Sequence, residues 1–399
     1  MANVSSSNGL EKRPRLAFRN TDGSHFPCWR QTSLDCIIEP YSEKVYGEHD
    51  YEVLTSSREG LQRQEDHFGS KQRHDTDGYN IIPFGYCTYR NRSDDGKFAF
   101  NINTISEKAI VSKFYPVFRF TNANSTFMAE FLNSSPRVKK KLSVLAVGTS
   151  QVVLSFAALK AAKFDLPCKD EQDKIAAFLE CLNTRIENQR TLVVALKKYK
   201  RGVVDGIFSR KLNFSYPQTW AELEISELFM PISDKGYSDK IVLTIVQGEG
   251  TMPRDSVDRR IAYDKSTISS YKRVLPNDFI LHLRSFEGGL EIVNEEGVVS
   301  PAYTILRARN EIIPLFFYTF FRSYWFINSK LRISVEGIRD GKSINMNTFW
   351  HIKVPVPSIE EQRHISALIS SIDNRIKIAE FEYKRLLQIR VGLMQQLFI

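Results

Sequence analysis

Apolar residues return at steps of three and four along two stretches of this chain, and they do so in the same phase. From Leu179 the steps fall on Leu182, Ile186, Gln189, Val193, Leu196, Lys200, Val203 and Ile207; from Ile369 they fall on Ile372, Ile376, Ala379, Tyr383, Leu386, Arg390, Leu393 and Leu397. That spacing predicts a coiled-coil seam of about five heptads, and a helix of about 38 residues is roughly 57 Å long. Pro167 stands before Asp170-Glu171 and Pro357 before Glu360-Glu361, the order of a helix start whose carboxylates favour its dipole. Setting Glu171-Gln172 on Glu361-Gln362 gives an offset of 361 − 171 = 190 residues. The same offset lands Pro167 on Pro357, Ile175 on Ile365, Arg185-Ile186 on Arg375-Ile376, Leu196 on Leu386, Gly202 on Gly392 and Phe208 on Phe398, without a gap. A period near half the chain signals an internal repeat.

The segments ahead of the helices repeat as well. Between Arg15 and Phe164, short β-like runs alternate with Gly/Asp/Asn/Ser turns: Tyr51–Leu54, Tyr79–Ile82, Cys87–Tyr89, Phe98–Asn101, Ala109–Ser112 and Phe114–Phe120. A helical stretch is expected near Ser125–Asn133. Trp29–Leu34 matches Trp220–Ile225, Val53–Thr55 matches Val242–Thr244, and Ile110–Arg119 matches Val298–Arg307. The expected fold is α+β: two globular α/β domains in tandem repeat, separated by two long helices packed as an antiparallel coiled coil, with pseudo-two-fold symmetry. The boundaries expected are a disordered tail over 1–13, a first domain over 14–165, a helix over 166–210, a second domain over 211–355 and a second helix over 356–399. Packed antiparallel, the seams would set Gln189 opposite Ala379 and carry Lys200 and Arg390 toward the acidic start of the partner helix.

Composition narrows the class. The most apolar run, Ile312–Ile327, is cut by Arg322 and Ser323 and falls short of a membrane span, and no apolar leader is evident, so a soluble chain without a membrane partner is expected. Five cysteines, Cys28, Cys36, Cys87, Cys168 and Cys181, form no CxxC pair, which suits a reducing cytoplasm rather than a disulfide framework. A formal net charge of +9 favours an anionic partner, because phosphate binding is driven by Lys and Arg displacing counterions.

Catalytic signatures are missing. No (Asn/Asp)-Pro-Pro-(Tyr/Phe) motif is present to hold a flipped base; Asp165-Leu-Pro-Cys168 is a faint echo in a linker. Gly248-Glu-Gly250 lacks the strand and helix of a cofactor loop and reads as a turn. HExxH and GxxxxGK[ST] are absent, and His67 and His74 sit in a charged loop. The expectation is a non-catalytic chain with no metal and no cofactor of its own.

The duplicated Pro-x3-Glu-Gln-x2-Ile start, the Arg-Ile pair and the Gly-x5-Phe end, in the order domain, helix, domain, helix, resemble the DNA-specificity subunit of type I restriction-modification systems. The resemblance implies target-recognition domains that each read one half of a split, asymmetric site in double-stranded DNA. It implies helices that space the halves and dock two methyltransferase subunits, with restriction and motor subunits joining. S-adenosylmethionine, ATP and Mg would then belong to partner subunits. A specificity partner of a modification-only or fused nuclease-methyltransferase system shares every feature, and a coiled-coil protein adaptor is the reading from another class.

Base readout needs donors on exposed loops, whereas phosphate contact needs only cations. In the first domain the candidates are Ser56, Ser57, Arg58, Gln62, Arg63 and Gln64, with Tyr89, Arg90, Asn91 and Arg92, where the tyrosine adds stacking. Lys139 and Lys140, in a basic run, suit phosphate. In the second domain they are Gln247, Arg254, Arg259, Arg260, Lys272, Arg273, Arg284, Arg332, Arg339 and Lys342.

Overall fold

The computed structural model describes residues 14–69, 75–149, 151–212, 219–257, 265–282, 287–337 and 342–398. The expected tail, together with His74, Arg259, Arg260, Arg284 and Arg339, lies outside them. The chain forms two compact bodies, Met1–Gln189 with Glu382–Ile399, and Arg190–Phe381.

In the first body an antiparallel sheet runs in the order Ile38–Tyr41, Val117–Phe120, Cys87–Tyr89, Phe100–Ile102. A second sheet runs Gly60–Arg63, Glu52–Ser57, Lys108–Val111, Asn80–Pro83, with one parallel pairing, Glu52–Ser57 beside Lys108–Val111. β-branched and aromatic residues dominate these strands because they pack well on a half-buried pleat. The helix Ser125–Ser134 covers the core, capped by the Asn124 side chain, which accepts from the Phe127 N–H. The second body repeats the first arrangement: its main sheet runs Phe229–Ile232, Tyr303–Ala308, Phe279–His282, Glu291–Ile292, and its helix is Pro314–Phe321.

The long helices are Lys169–Phe208 and Ile359–Leu397. Along the expected seam Ile186, Val193, Ile372, Ile376, Ala379 and Leu386 are buried, while Leu182, Gln189, Leu196, Lys200, Tyr383 and Arg390 are half-buried. Within the second body Lys197 pairs with Glu380 and Lys200 with Asp373, both at 2.6 Å. The first number rises as the second falls, so these segments run antiparallel. Within the first body Arg390 Nε donates to Asn183 Oδ1 at 2.9 Å. The two seam cations therefore meet mid-helix partners rather than acidic helix starts. Glu171 and Glu361 stay buried in their own first turns, where unpaired backbone N–H groups favour a carboxylate. Gln189 belongs to the first body and Ala379 to the second.

The duplicated sequence motifs have structural roles at both helix ends. Gln172 Nε2 donates to the Pro167 carbonyl at 3.0 Å, while its Oε1 accepts from the Asn124 N–H at 2.9 Å. Gln362 does the same with the Pro357 carbonyl and the Ile313 N–H, both at 3.0 Å. Each glutamine is buried, so losing either bond would strand a polar group at a cost of about 1–3 kcal/mol. At the far ends, the Phe398 ring packs 5.9 Å from Phe127 and 5.6 Å from Phe131, and Phe208 packs 5.6 Å from Phe316 and 5.0 Å from Phe320. Burying such a ring stabilises by about 1.5–3 kcal/mol, enough to tie a helix end to a globular core.

Candidate nucleic-acid interface

The hairpin Glu52–Ser57/Gly60–Arg63 closes through Arg58-Glu59, with Gly60 at φ +125, a conformation that favours glycine. Its tip stands beside the segment that leaves the strand Cys87–Tyr89. Ser56, Ser57, Arg58, Arg90, Arg92 and Lys97 line one open cleft of about 120 Å³. Five of the sequence-chosen residues thus meet on one surface, joined by Lys97, which the sequence reading missed.

Asp95 organises this cleft. It accepts from Arg58 at 2.7 Å and from the Ser93 hydroxyl at 3.0 Å, and it pairs with Lys97 at 3.3 Å. Desolvation pushes its carboxyl up, but hydrogen bonds from Ser93, Lys97 and Arg58 outweigh that and hold it at about 2. The Arg58 side chain remains 66% exposed, so its guanidinium is steered by Asp95 yet free to reach a ligand. Beside the cleft, Arg92 lies 5.4 Å and Lys113 5.8 Å from the ring of Phe114, which is 53% exposed. Sequence patterning put Phe114 in a strand running to Phe120, whereas the strand is Val117–Phe120 and Phe114 sits on the turn before it.

Three choices are corrected. Tyr89 is fully buried and donates from its hydroxyl to the Leu154 carbonyl at 3.0 Å, so it is core and offers no stacking face; burial also pushes its phenol up. Lys272 is half-buried, donates to the Tyr303 carbonyl at 2.7 Å, and is lowered by burial and then by Lys235. Arg273 is held by Glu296 at 2.8 Å and stacks 4.6 Å over Tyr237, and the Glu296 bond leads the causes that raise it. Both cations support the second body.

The remaining choices disperse. Arg63 pairs with Glu52 at 2.9 Å, Gln62 bonds His67 at 2.9 Å, and Gln64 lines a separate cleft with Arg63 and Tyr51. Asn91 is half-buried, its carbonyl accepting from the Leu154 N–H. Lys139 and Lys140 are exposed on the helix Pro136–Leu145, and Lys139 lines a cleft of about 630 Å³ with Arg58 and Lys97. In the second body Gln247 is exposed at the tip of the hairpin Leu243–Val246/Gly250–Pro253, whose turn carries Gly248 and Gly250 at φ +92 and +84. Arg254 follows that hairpin, its N–H donating to the Val242 carbonyl. Arg332 and Lys342 are exposed elsewhere. Among the described residues no group of three or more His, Cys, Asp or Glu could hold a metal ion, and no helix is long and apolar enough to cross a membrane.

The profile described as type I restriction modification DNA specificity domain matches residues 39–196 and again 217–388, one copy on each half of the repeat. The chain belongs to this family. Among curated specificity-domain relatives, the type I restriction enzyme MjaVIII specificity subunit of Methanocaldococcus jannaschii is 24% identical over 215 residues, which is 52% of this chain and 47% of that protein. The chain spans about half the length of the curated relatives it matches. Its fold is also that of solved specificity subunits. The type I restriction-modification S subunit from M. genitalium superposes with TM-score 0.54 at 18% identity, covering 97% of this chain and 99% of that one. The HsdS subunit from Thermoanaerobacter tengcongensis gives 0.51 at 15%, covering 93% and 96%. This specificity-domain protein thus carries two copies of the family fold, as its duplicated motifs require.

Proposed function

We propose that this chain is the non-catalytic, DNA-reading subunit of a type I restriction-modification assembly, each globular domain reading one half of a split, asymmetric target. The observation that carries the reading is one fold presented twice around two different hairpin tips, Arg58-Glu59 and Gln247-Gly248-Glu249. Different donors on the same frame suit a site whose halves differ in sequence.

The long helices are the frame, and their outward faces dock two methyltransferase subunits, with restriction and motor subunits joining the assembly. Support comes from apolar side chains left in solvent. Leu192, Val194, Tyr199, Ile378 and Phe381 in the second body, and Leu387, Ile389 and Val391 in the first, are between 38% and 65% exposed, more apolar surface than a solvated helix needs. S-adenosylmethionine, ATP and Mg belong to the partners, and the complex works in the cytoplasm.

The test is the methylome of a host expressing the chain with its methyltransferase partner. A split motif with methylated adenines is expected, and no new methylation would overturn the reading. Arg90→Ala or Arg92→Ala should relax one half of that motif by about 1–3 kcal/mol of discrimination. A uniform loss across all sequences would instead place both arginines on phosphates.

A further inference from the structure

We infer that Asn101 and Glu291 are repeat-equivalent positioning residues that fix the hairpins of the two halves and thereby set which bases each half accepts, an inference that rests on the DNA-reading assignment above. The two lie 291 − 101 = 190 residues apart, the period of the helix motifs. They also hold the same place in the main sheets: Asn101 pairs with Thr88 on the strand Cys87–Tyr89, and Glu291 with Ile280 on the strand Phe279–His282.

Both side chains are polar, nearly buried, and bonded to a hairpin outside their own sheet. Asn101 is 8% exposed, and its Nδ2 donates to the Ser56 hydroxyl and to the Ser57 carbonyl, each at 2.8 Å. Ser57 is the residue before the tip arginine Arg58. Glu291 is 5% exposed and accepts from the Gly248 N–H at 2.9 Å, one residue past Gln247. Its other oxygen accepts from the Tyr318 hydroxyl at 3.0 Å, and the Arg322 guanidinium donates to the same oxygen that receives the Gly248 N–H. Asn294 adds a second tie, donating to the Glu249 carbonyl at 2.8 Å.

Ladder bonds align the two strands of each hairpin but leave the angle of the tip free, and a reading group must be held to about 0.5 Å. Asn101 and Glu291 supply that angle by tying each tip to the main sheet. A residue that only satisfied buried polar groups would affect stability and leave sequence choice alone.

Isosteric exchanges separate the two roles. In Asn101→Asp the carboxylate cannot donate to the Ser57 carbonyl, and in Glu291→Met, of similar shape, no oxygen is left to accept from the Gly248 N–H. Each variant is expressed as full chain with its methyltransferase partner, and methylation is read over a library of targets carrying single base changes, beside thermal melting of the purified chain. Asn101→Asp should lose about fivefold in discrimination at one half-site and Glu291→Met about fivefold at the other, the factor that one hydrogen bond of ordinary net strength supplies. Unchanged discrimination in a folded variant, or equal loss at both halves, would overturn the inference. If either isostere does not fold, Asn101→Ser and Tyr318→Phe carry the same expectation and the same overturning result. Arg58→Ala and Gln247→Ala are run in parallel. If these tip variants leave the motif intact, the hairpins do not read DNA and the underlying reading falls; if they alter it and the isosteres do not, only the positioning inference falls.

Discussion

In the second body Lys200 meets Asp373 across the seam at 2.6 Å. At the equivalent step of the first body, 190 residues on, Arg390 meets Asn183 and takes its counter-charge from Glu130, with both bonds to that carboxylate at 2.8 Å. Glu130 lies on the helix Ser125–Ser134, and the 189-residue offset between Asn124 and Ile313 places Thr319 at its counterpart. One half neutralises its seam cation on the facing helix; the other draws the acid from the globular domain. A repeated scaffold can therefore keep a charge and relocate its partner, and the choice decides what is coupled. In the second body the pair ties helix to helix, whereas in the first it also ties the helices to the domain that covers them.

Four measurements test that contrast, beginning with what the halves share. Phe398→Ala and Phe208→Ala should each cost about 3–4 kcal/mol in denaturant unfolding, since both empty an equivalent aromatic pocket; a twofold difference would end the equivalence of the two ends. Next, Glu130→Leu should cost about 2 kcal/mol by leaving Arg390 partly buried without a counter-charge, while Thr319→Leu should stay within ~0.5 kcal/mol. The Glu130 and Arg390 side chains are 16% and 30% exposed, which keeps this below the cost of a fully buried pair. Asn183→Asp in a Glu130→Thr background transplants the second body's arrangement and should recover about 1 kcal/mol of that loss. Smallest is the pH response of Asp95. Its folded value of about 2 lies below the ordinary carboxylate value, so its contribution is present above about pH 4 and is lost as pH falls toward 2. Acid titration of the wild type against Asp95→Asn should show the extra loss only in that window.

The helices were legible because their period survives every tertiary influence: a seam of Leu, Ile and Val at steps of three and four admits one face only. The seam cations were legible too, but not their partners, since Glu130 approaches from a helix 260 positions away in the chain. In the candidate cleft, the Ser56–Arg58 and Arg90–Arg92 segments could be chosen by composition, but only the fold shows that they converge. Tyr89 misled because it adjoins Arg90 and Arg92, while its strand, Cys87–Tyr89, is buried on both faces and gives no alternation to warn of it. Lys97 and Phe114 sit on turns whose positions depend on sheet pairing, and no local pattern marks them. Lys272 and Arg273 look like any basic pair until Glu296, Tyr237 and Tyr303 close around them.

The glutamine clips at the helix starts bear on how interchangeable the domains are. Gln172 reads only main-chain groups, the Asn124 N–H and the Pro167 carbonyl, and Gln362 only the Ile313 N–H and the Pro357 carbonyl. Asparagine and isoleucine serve equally well because neither side chain takes part in that bond. A joint built on backbone is indifferent to the identity of what it joins, provided the residue is not proline. The globular part can therefore change its side chain at that one position while each glutamine keeps both bonds, whereas the Phe398 and Phe208 rings and the Arg390–Glu130 pair depend on particular side chains.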